Sequence, residues 1–462
     1  MFEGGSFMDH TERLAAFLAE VSFDTLPPEV VHKARLCLLD YVANVYGSLE
    51  LEAVSGVVEY IRSLGGPPKA TVLGCGFRTD LHHAAFLNGT TAEAIEAQDG
   101  LRFGGNHPGT AVIPVALAVA EDMGLGGKAI IEAVVVGYEA ANRPAAAMHP
   151  WHTLGGFLPT GTCGTFGAAA AAARLKGYNA GGMLNALGCA GYLAPISMAQ
   201  QLMGGFTVKI VQGGQAALAG LMAAGLAGSG ITGDRQVFEG SELKGGFTQI
   251  TTRAEPKFEK LTEGLGGRYT ISDIYFKPYT ACRHTHGAAQ ATLSLMKEEA
   301  PDPGDIEAVE VFTYGMAAIA VGKGVSERDT FVSAQFSIPY VVAACILDRA
   351  LGPMQLTEKR MADTSLLALS NKVTVRMDEV LNGIYPEKTS SRVEIVLRDG
   401  RRLVRQVDVP KGDPRDPMEA DDLADKVRFF AGHRDRERTE RIIEMILKLE
   451  DLPDIRELIG LI

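Results

Sequence analysis

The sequence has little of what marks a metalloprotein, a secreted protein or a membrane protein. Its six cysteines are scattered and include no C-x-x-C pair, which argues against a zinc ribbon or a ferredoxin-type cluster and is typical of a reduced cytosolic protein. No basic segment followed by an apolar run opens the chain, so no signal peptide is expected. The most apolar stretches, 110–120 and 214–228, are too short or too rich in glycine and alanine to cross a membrane. We therefore expect a cytoplasmic protein without a membrane partner.

An excess of positive charge is also absent. The chain has 44 lysines and arginines against 56 aspartates and glutamates, a formal net charge of −12. An acidic surface repels nucleic acids and anionic membranes, so neither is an expected partner. An anionic substrate would need a local cluster of lysine, arginine, histidine or backbone N–H groups against that general field.

The chain is long, and it contains many small residues that are compatible with closely packed helices. Its 462 residues exceed what one ordinary core accommodates, which favours two domains, and its 53 glycines lie among alanines in helical stretches. Strand patterns follow after about residue 265, at 271–276, 307–314, 372–377, 391–398 and 402–409. We predict a mainly α protein with a large all-α domain, residues 1–268, and a smaller α+β domain, residues 269–410. The C-terminal helices, within 411–462, are expected to pack back on the all-α domain and complete it.

Two N-terminal segments carry residues suited to acid–base chemistry or to carboxylate binding. Glu96 and Asp99 precede a glycine-rich loop that ends at His107, and a carboxylate near an imidazole can orient it or raise its basicity. The alternative is a helix end followed by a surface loop. The stretch 149–165 is predicted to be a loop, in which Thr160-Gly161-Thr162 offers hydroxyl and N–H groups for a carboxylate at a helix start. Ordinary helix capping is the alternative.

Two later segments carry the cationic candidates. Lys209 lies between apolar neighbours and is expected to point inward, where desolvation would lower its pKa and allow proton transfer or carboxylate binding. A solvated lysine is the alternative. Residues 277–286 place Lys, Tyr, Cys, Arg and two His at the predicted domain junction, where clefts often bind ligands. His284 and His286 also form a weak His-x-His metal pattern, although acid–base or carboxylate-binding use is favoured.

Taken in order, these segments resemble the MmgE/PrpD family along nearly the whole chain. The marks of the resemblance are residues 84–99, His107-Pro108-Gly109, Gly156 to Gly164, Lys277 to His286, Ala334 to Ser337 and Lys411 to Met418. Members of this family include 2-methylcitrate dehydratase, cis-aconitate decarboxylase and iminodisuccinate epimerase. The resemblance implies a homodimer, an all-α domain with an α+β lid, and an active site between them with no required metal or organic cofactor. It also implies proton abstraction next to a carboxylate of a small polycarboxylic acid.

The resemblance extends to single positions. His107 matches the family's His-Pro histidine and Lys209 its active-site lysine. We expect both to transfer protons, Asp99 to orient His107, and Arg283 and His286 to hold substrate carboxylates. The catalytic candidates are His107, Lys209, Asp99 and His286. The substrate-binding candidates are Glu96, Thr160, Thr162, Lys277, Tyr279, Cys282 and Arg283.

Three departures from the family pattern argue against its best-known activities. Leu158 stands where the family commonly has His, Cys282 where decarboxylase-type members have His, and Gln98 where a second Asp is expected. These departures favour isomerisation or a new elimination, with His152 as a weak substitute for the missing histidine. Three alternatives stay open: a hydro-lyase of the 2-methylcitrate dehydratase type, a catalytically altered polycarboxylate-binding protein, and a metal-dependent hydratase using His284 and His286.

Overall fold

Helices dominate the computed structural model, which describes residues 9–326 and 328–462. The helices of the N-terminal half are α1 His10–Glu20, α2 Pro28–Ser48, α3 Glu52–Leu64, α4 Leu81–Ala94, α5 Gly109–Met123, α6 Gly127–Met148, α7 Trp151–Leu154, α8 Pro159–Leu175, α9 Ala180–Leu193, α10 Ala199–Met203, α11 Gln212–Gly228 and α12 Phe247–Ile250. The later helices are α13 His286–Glu298, α14 Gly315–Val321, α15 Phe331–Gln335, α16 Ile338–Asp348, α17 Glu358–Met361, α18 Thr364–Ser370, α19 Glu379–Gly383, α20 Ala420–Ala431, α21 Arg436–Leu447 and α22 Arg456–Ile459. The mainly α prediction is confirmed.

Small residues let the central helices pack almost backbone to backbone. Helix α11 packs against α4, α8 and α9. A Cβ atom at Gly214 of α11 would lie 2.2 Å from the Phe86 carbonyl oxygen of α4, and one at Gly220 would lie 2.5 Å from the Thr165 carbonyl oxygen of α8. Side chains larger than hydrogen would therefore force these helices apart. This close packing brings the C-terminal end of α4 beside the residues that precede α11.

The strands are β1 Ala70–Val72, β2 Phe77–Thr79, β3 Gly100–Leu101, β4 Ile274–Tyr275, β5 Ile306–Thr313, β6 Val373–Met377, β7 Ser391–Leu397 and β8 Arg402–Val407. The last four form one sheet in the order β6-β5-β7-β8, in which only β5 and β6 run parallel. Strand β7 alternates buried and partly exposed residues, the period of a strand with one covered face. Helix α13 covers β7 and β8, and α16 lies against β6. The four predicted strands of this region are therefore present, with ends within two residues of the prediction.

Two local predictions were wrong. The predicted strand 271–276 is a 3-10 turn, Thr270–Asp273, followed by the two-residue strand β4, which pairs with β3. The predicted loop 149–165 contains α7, and α8 already begins at Pro159 because proline is well suited to the first turn of a helix. Thr160 and Thr162 thus lie inside the first turn of α8 rather than in a loop before it.

The C-terminal helices pack back on the N-terminal ones. Helix α20 lies against α2. Lys426 of α20 donates to the Asp40 carboxylate at 2.6 Å and to the Ala97 carbonyl oxygen at 2.6 Å, and all three groups are buried. The division of the chain at residues 268 and 410 stays a prediction.

By length and composition alone, one described helical stretch, Thr207–Gly228, is long and apolar enough to cross a membrane. Its most apolar window has a mean hydropathy of 1.3, and 61% of that window is buried within the fold. The stretch includes α11, which packs on three neighbouring helices. Burial of this kind is what the core helix of a globular protein shows.

Candidate active site

Two lysines from distant parts of the chain meet two glutamates at the end of α4. Lys209 Nζ lies 2.8 Å from Glu93 Oε1 and also donates to Glu96 Oε2. Lys277 Nζ lies 2.7 Å from Glu96 Oε1. The side chains are at most 4% exposed, so these charges neutralise one another away from water. We call these four residues the lysine–glutamate cluster.

Glu96 reaches both lysines from an unusual backbone conformation. Helix α4 ends at Ala94, and Glu96 follows with a φ of 56°, in the left-handed region that side chains other than glycine rarely adopt. Lys277 also donates to the Glu96 carbonyl oxygen at 3.2 Å, which helps to hold this conformation. Such strain persists only where the surroundings enforce it, and it is concentrated at functional sites. The geometry therefore singles out Glu96 as the centre of the cluster.

Lys209 and Glu96 keep their charged forms at neutral pH. Burial opposes ionisation of Lys209, but the carboxylates of Glu93 and Glu96 outweigh it and raise the pKa of Lys209. Burial likewise opposes ionisation of Glu96, and the two lysines outweigh it and lower the pKa of this carboxyl well below its usual range. The expectation that desolvation lowers the pKa of Lys209 was therefore wrong, because the sequence did not reveal its two anionic partners.

His107 lies next to the cluster as a neutral imidazole. Its Nδ1 is 2.6 Å from the carbonyl oxygen of Asp99, and since a carbonyl only accepts, Nδ1 carries the proton and Nε2 keeps its lone pair. Burial and the nearby Lys277 ammonium lower the pKa of His107 to about 4. Gly100 permits this approach, because a Cβ there would lie 2.9 Å from His107 Nδ1 and 2.5 Å from the Tyr275 hydroxyl. His107 thus has the protonation state of a general base.

Asp99 orients His107 through its backbone and not through its carboxylate as expected. The carboxylate accepts instead from the Tyr138 hydroxyl at 2.5 Å and from the Gly109 N–H at 3.2 Å. Burial, reinforced by the negative charge of Asp40, raises the pKa of Asp99 to about 7. The predicted carboxylate–imidazole pair is therefore not formed.

Replacing Asp99 with Asn should change stability more than catalysis. Between the unfolded pKa of about 3.9 and the folded pKa of about 7, the folded protein binds more protons than the unfolded chain, so Asp99 makes stability fall as pH rises. The Asn variant has no carboxyl group at this position and so lacks this loss. The difference in free energy of unfolding, variant minus wild type, should therefore increase by a few kcal/mol, roughly 4 at most, from pH 4 to pH 8. Urea midpoints at several pH values measure the difference. A variant whose stability follows the wild type across this range would contradict the raised pKa.

The segment 277–286 contributes structure as well as charge. Arg283 donates to the carbonyl oxygens of Pro410 and Lys411, both at 2.7 Å. His286 Nε2 bonds to the Ala281 carbonyl oxygen at 3.0 Å, and its Nδ1 lies 3.3 Å from Arg283. Both side chains, predicted to hold substrate carboxylates, are thus already bonded within the protein. Their proposed roles toward the substrate stay predictions.

The other residues of this segment lie around the cluster. Burial and the Glu96 carboxylate raise the pKa of the Cys282 thiol to about 11, so it is uncharged at neutral pH. The Tyr279 ring packs against the His286 ring, with centroids 5.2 Å apart. His284 Nδ1 lies 2.5 Å from the Tyr314 hydroxyl. Within residues 9–326 and 328–462, no three His, Cys, Asp or Glu side chains are grouped as metal ligands.

The hydroxyl groups of Thr160 and Thr162 in α8 already form hydrogen bonds within the protein. The Thr160 hydroxyl accepts from the His107 backbone N–H at 3.1 Å, which ties the His107 loop to α8. The Thr162 hydroxyl lies 2.8 Å from His152 Nε2, and His152 Nδ1 lies 2.8 Å from the Thr251 carbonyl oxygen. Both ring nitrogens of His152 are therefore already hydrogen-bonded. His152 does not replace the histidine that the family commonly has at the position of Leu158.

Several polar residues at the site had not been predicted. Glu93 accepts at one oxygen from Lys209, from Gln212 at 2.6 Å and from Gln98 at 3.0 Å. Gln335 donates to the Ala94 carbonyl oxygen at 2.7 Å. The signal that identifies Glu93 is its position among small, apolar residues of α4, one turn before Glu96.

A cavity with a different lining lies outside the cluster. Its volume is about 580 Å³, and its lining includes Arg102, Lys257, Arg268 and Arg415 but none of the predicted site residues. Arg268 is paired with Asp273 at 2.6 Å and Arg415 with Asp413 at 2.8 Å. His149 also lines this cavity, and burial lowers its pKa. Because the predicted site residues lie outside the cavity, the cluster and His107 remain the candidate active site.

Comparison with known proteins finds family matches and relatives that cover most of the chain. Residues 12–259 match the MmgE/PrpD N-terminal domain, and residues 279–451 match the MmgE/PrpD C-terminal domain. Cis-aconitate decarboxylase of Aspergillus terreus is 27% identical over 98% of this chain and 95% of its own length. Cis-aconitate decarboxylase of Homo sapiens is 26% identical over 96% of this chain and 92% of its own length, and that of Mus musculus is 25% identical over 96% and 91%.

Proposed function

The chain belongs to the MmgE/PrpD family, and on this premise we propose that it is a lyase or isomerase that removes a proton next to a carboxylate of a small polycarboxylic acid. The relatives named above are decarboxylases, which are lyases, and this supports the enzyme class. The observation that carries the proposal is the placement of the neutral His107 beside the charged lysine–glutamate cluster. A base that can accept a proton therefore lies next to fixed cations.

The proposed reaction begins with proton transfer to His107 Nε2. The electron pair of the broken C–H bond moves onto the adjacent carboxylate, which becomes an enolate-like dianion. The ammonium groups of Lys209 and Lys277 stabilise this developing charge, because preorganised cations in a buried site need no rearrangement during the reaction. For isomerisation, a proton is then delivered to the opposite face of the carbon, the role expected of the Lys209 ammonium, and exchange with solvent restores both groups. For elimination, a leaving group departs from the neighbouring carbon.

We propose that the cycle needs no metal ion, since the two lysines provide the positive charge that a metal would otherwise supply. The alternative of a metal-dependent hydratase rested on His284 and His286. His284 Nδ1 is bonded to Tyr314, and His286 contacts Ala281 and Arg283 through its two ring nitrogens. Full turnover in excess chelator would support the metal-independent cycle, and loss of turnover that returns with added divalent metal would overturn it.

We favour isomerisation over dehydration or decarboxylation. Epimerisation needs an acid and a base on opposite faces of one carbon, whereas elimination needs an acid beside the leaving group. Leu158 provides no such acid, and both ring nitrogens of the nearby His152 are already bonded. A hydro-lyase of the 2-methylcitrate dehydratase type is the second candidate, supported by the family.

Proton NMR in D2O tests the proposed function directly. The purified protein is mixed with citrate, cis-aconitate, succinate, malate and aspartate, and deuterium is followed at each C–H next to a carboxylate. Exchange that requires the protein and disappears in His107→Asn supports the proposal, and any new product identifies the fate of the intermediate. Binding of these acids in calorimetry without exchange would overturn it in favour of a polycarboxylate-binding protein.

A further inference from the structure

The cavity outside the lysine–glutamate cluster has a strongly cationic lining. Six of its lining residues are lysine or arginine, and three are carboxylates, Glu263, Asp273 and Asp413. The lining therefore has a formal charge of +3 in a chain whose net charge is −12. A concave surface with one sign of charge concentrates ligands of the opposite sign. We call this space the cationic cavity.

Pairing within the protein leaves two of the six cations without a carboxylate of their own. The four paired cations are Lys260 with Glu263 and Arg268 with Asp273, both at 2.6 Å, Arg415 with Asp413 at 2.8 Å, and Arg143 with Glu139 at 2.7 Å. Lys257 is exposed and belongs to none of these pairs. Arg102 lies 3.9 Å from the Asp413 carboxylate, which already has Arg415 as its partner. Two positive charges therefore remain for a ligand.

The neighbours of Arg102 and Lys257 respond to this positive charge. Burial and the Lys257 ammonium both lower the pKa of His149, which lines the same cavity. Burial and the nearby Arg415 lower the pKa of Arg102, although Asp413 opposes them. Both shifts have the direction that burial next to positive charge produces. An anion bound in the cavity would offset this charge.

The cavity is too large for a bare inorganic anion and is partly apolar. Its volume of about 580 Å³ lies in the range of sites for small organic molecules. Leu101, Phe103, Ala146 and Pro414 give it apolar surface. The Phe103 side chain is 56% exposed, and its ring lies edge-on to the His149 ring with centroids 6.2 Å apart. An apolar body could therefore pack on Phe103 while an anionic group is held by the cations.

We propose that the cationic cavity is a second ligand site, which binds an organic dianion: a phosphate or a dicarboxylate attached to an apolar body. Guanidinium groups bind both kinds of anion through paired N–H donors. Arg102 and Lys257 would supply the two charges that the dianion needs. None of the predicted catalytic or substrate-binding residues lines the cavity, so the inference does not depend on the proposed function.

Calorimetry with four small probes tests the ligand class. Phenyl phosphate and phthalate are both dianions on an aromatic ring at pH 8, whereas inorganic phosphate lacks the ring and phenol lacks the charge. We expect phenyl phosphate or phthalate to bind at least about tenfold more tightly than inorganic phosphate and phenol, and the tighter of the two identifies the anionic group. No binding of either dianion would overturn the inference. Equally tight binding of inorganic phosphate would overturn it in favour of a simple anion site.

Variants show whether the probe binds in this cavity. Lys257→Gln should raise the Kd of the tighter probe at least about fivefold, and Lys257→Gln with Arg102→Gln at least about tenfold, because charge-assisted hydrogen bonds are lost. Lys448→Gln is the matched control, since Lys448 is an exposed lysine outside the cavity, and its Kd should equal that of the wild type. Because Lys257 is exposed, its variant should also keep the urea midpoint of the wild type. An unchanged Kd in folded Lys257→Gln and in the double variant would place the probe elsewhere and contradict the assignment.

Discussion

His107→Asn is expected to lower kcat by about 10²–10⁴-fold while leaving substrate affinity within a few-fold of the wild type. The Asn amide can still donate to the Asp99 carbonyl oxygen, so the loop keeps its anchor. The variant lacks Nε2, the ring nitrogen whose lone pair would accept the proton. Deuterium exchange rates give kcat, and calorimetry with the same acid gives the affinity.

Two controls separate base catalysis from general damage. His433→Asn changes an exposed histidine and should have full activity. The wild-type pH profile supplies the second control, because a pKa of about 4 keeps His107 unprotonated above that pH. Protonation of His107 should therefore lower kcat/KM only as the pH approaches 4. A His107 variant with near wild-type exchange, or an acidic limb near the ordinary histidine pKa, would contradict the assignment.

The sequence predicted those features that follow from local periodicity. The alternation of apolar residues in β5 to β8 is visible without a structure, since successive strand residues face opposite sides of a sheet. The start of α8 was missed because Pro159 and two threonines look like loop residues. Proline is nevertheless well suited to the first helical turn.

The chemistry of the site depended on contacts that the sequence does not encode locally. Glu96, Lys209 and Lys277 were each selected as candidates, but no pattern showed that both lysines share one carboxylate. The direction of the Lys209 pKa shift was wrong for that reason. The expected role of the Asp99 carboxylate was wrong for a similar reason. Sequence spacing indicates that Asp99 is near His107, but it does not show whether the backbone carbonyl or the side-chain carboxylate is the partner.

Replacing Lys209 with Met is expected to remove turnover and stability together. The exchange rate should fall by about 10²–10³-fold, the usual cost of removing one preorganised group that stabilises an oxyanion. The free energy of unfolding should fall by about 3–5 kcal/mol, because the buried carboxylate of Glu93 would lose its lysine and Glu96 would keep only Lys277. Deuterium exchange and urea unfolding measure the two effects on the same preparation.

A double variant distinguishes the two causes. In Lys209→Met with Glu93→Gln, one cation and one anion are removed, and Glu96 keeps its ion pair with Lys277 at 2.7 Å. We expect most of the lost stability to return, since replacing a whole buried ion pair by neutral groups is often close to neutral. Turnover should stay low, because the positive charge next to the intermediate is still missing. Recovery of turnover with stability would show that Lys209 only supports the fold.

Lys426→Met provides the matched control for a buried lysine. Lys426 is paired with Asp40 within 2.6 Å and is as buried as Lys209, but it lies on α20 and is not part of the lysine–glutamate cluster. Its loss should lower stability by a similar amount and leave turnover of the folded protein within a few-fold of the wild type. If Lys426→Met lost turnover as severely as Lys209→Met, the loss at Lys209 would reflect destabilisation. If instead Lys209→Met retained full turnover, the proposed stabilisation of the enolate by the cluster would be wrong.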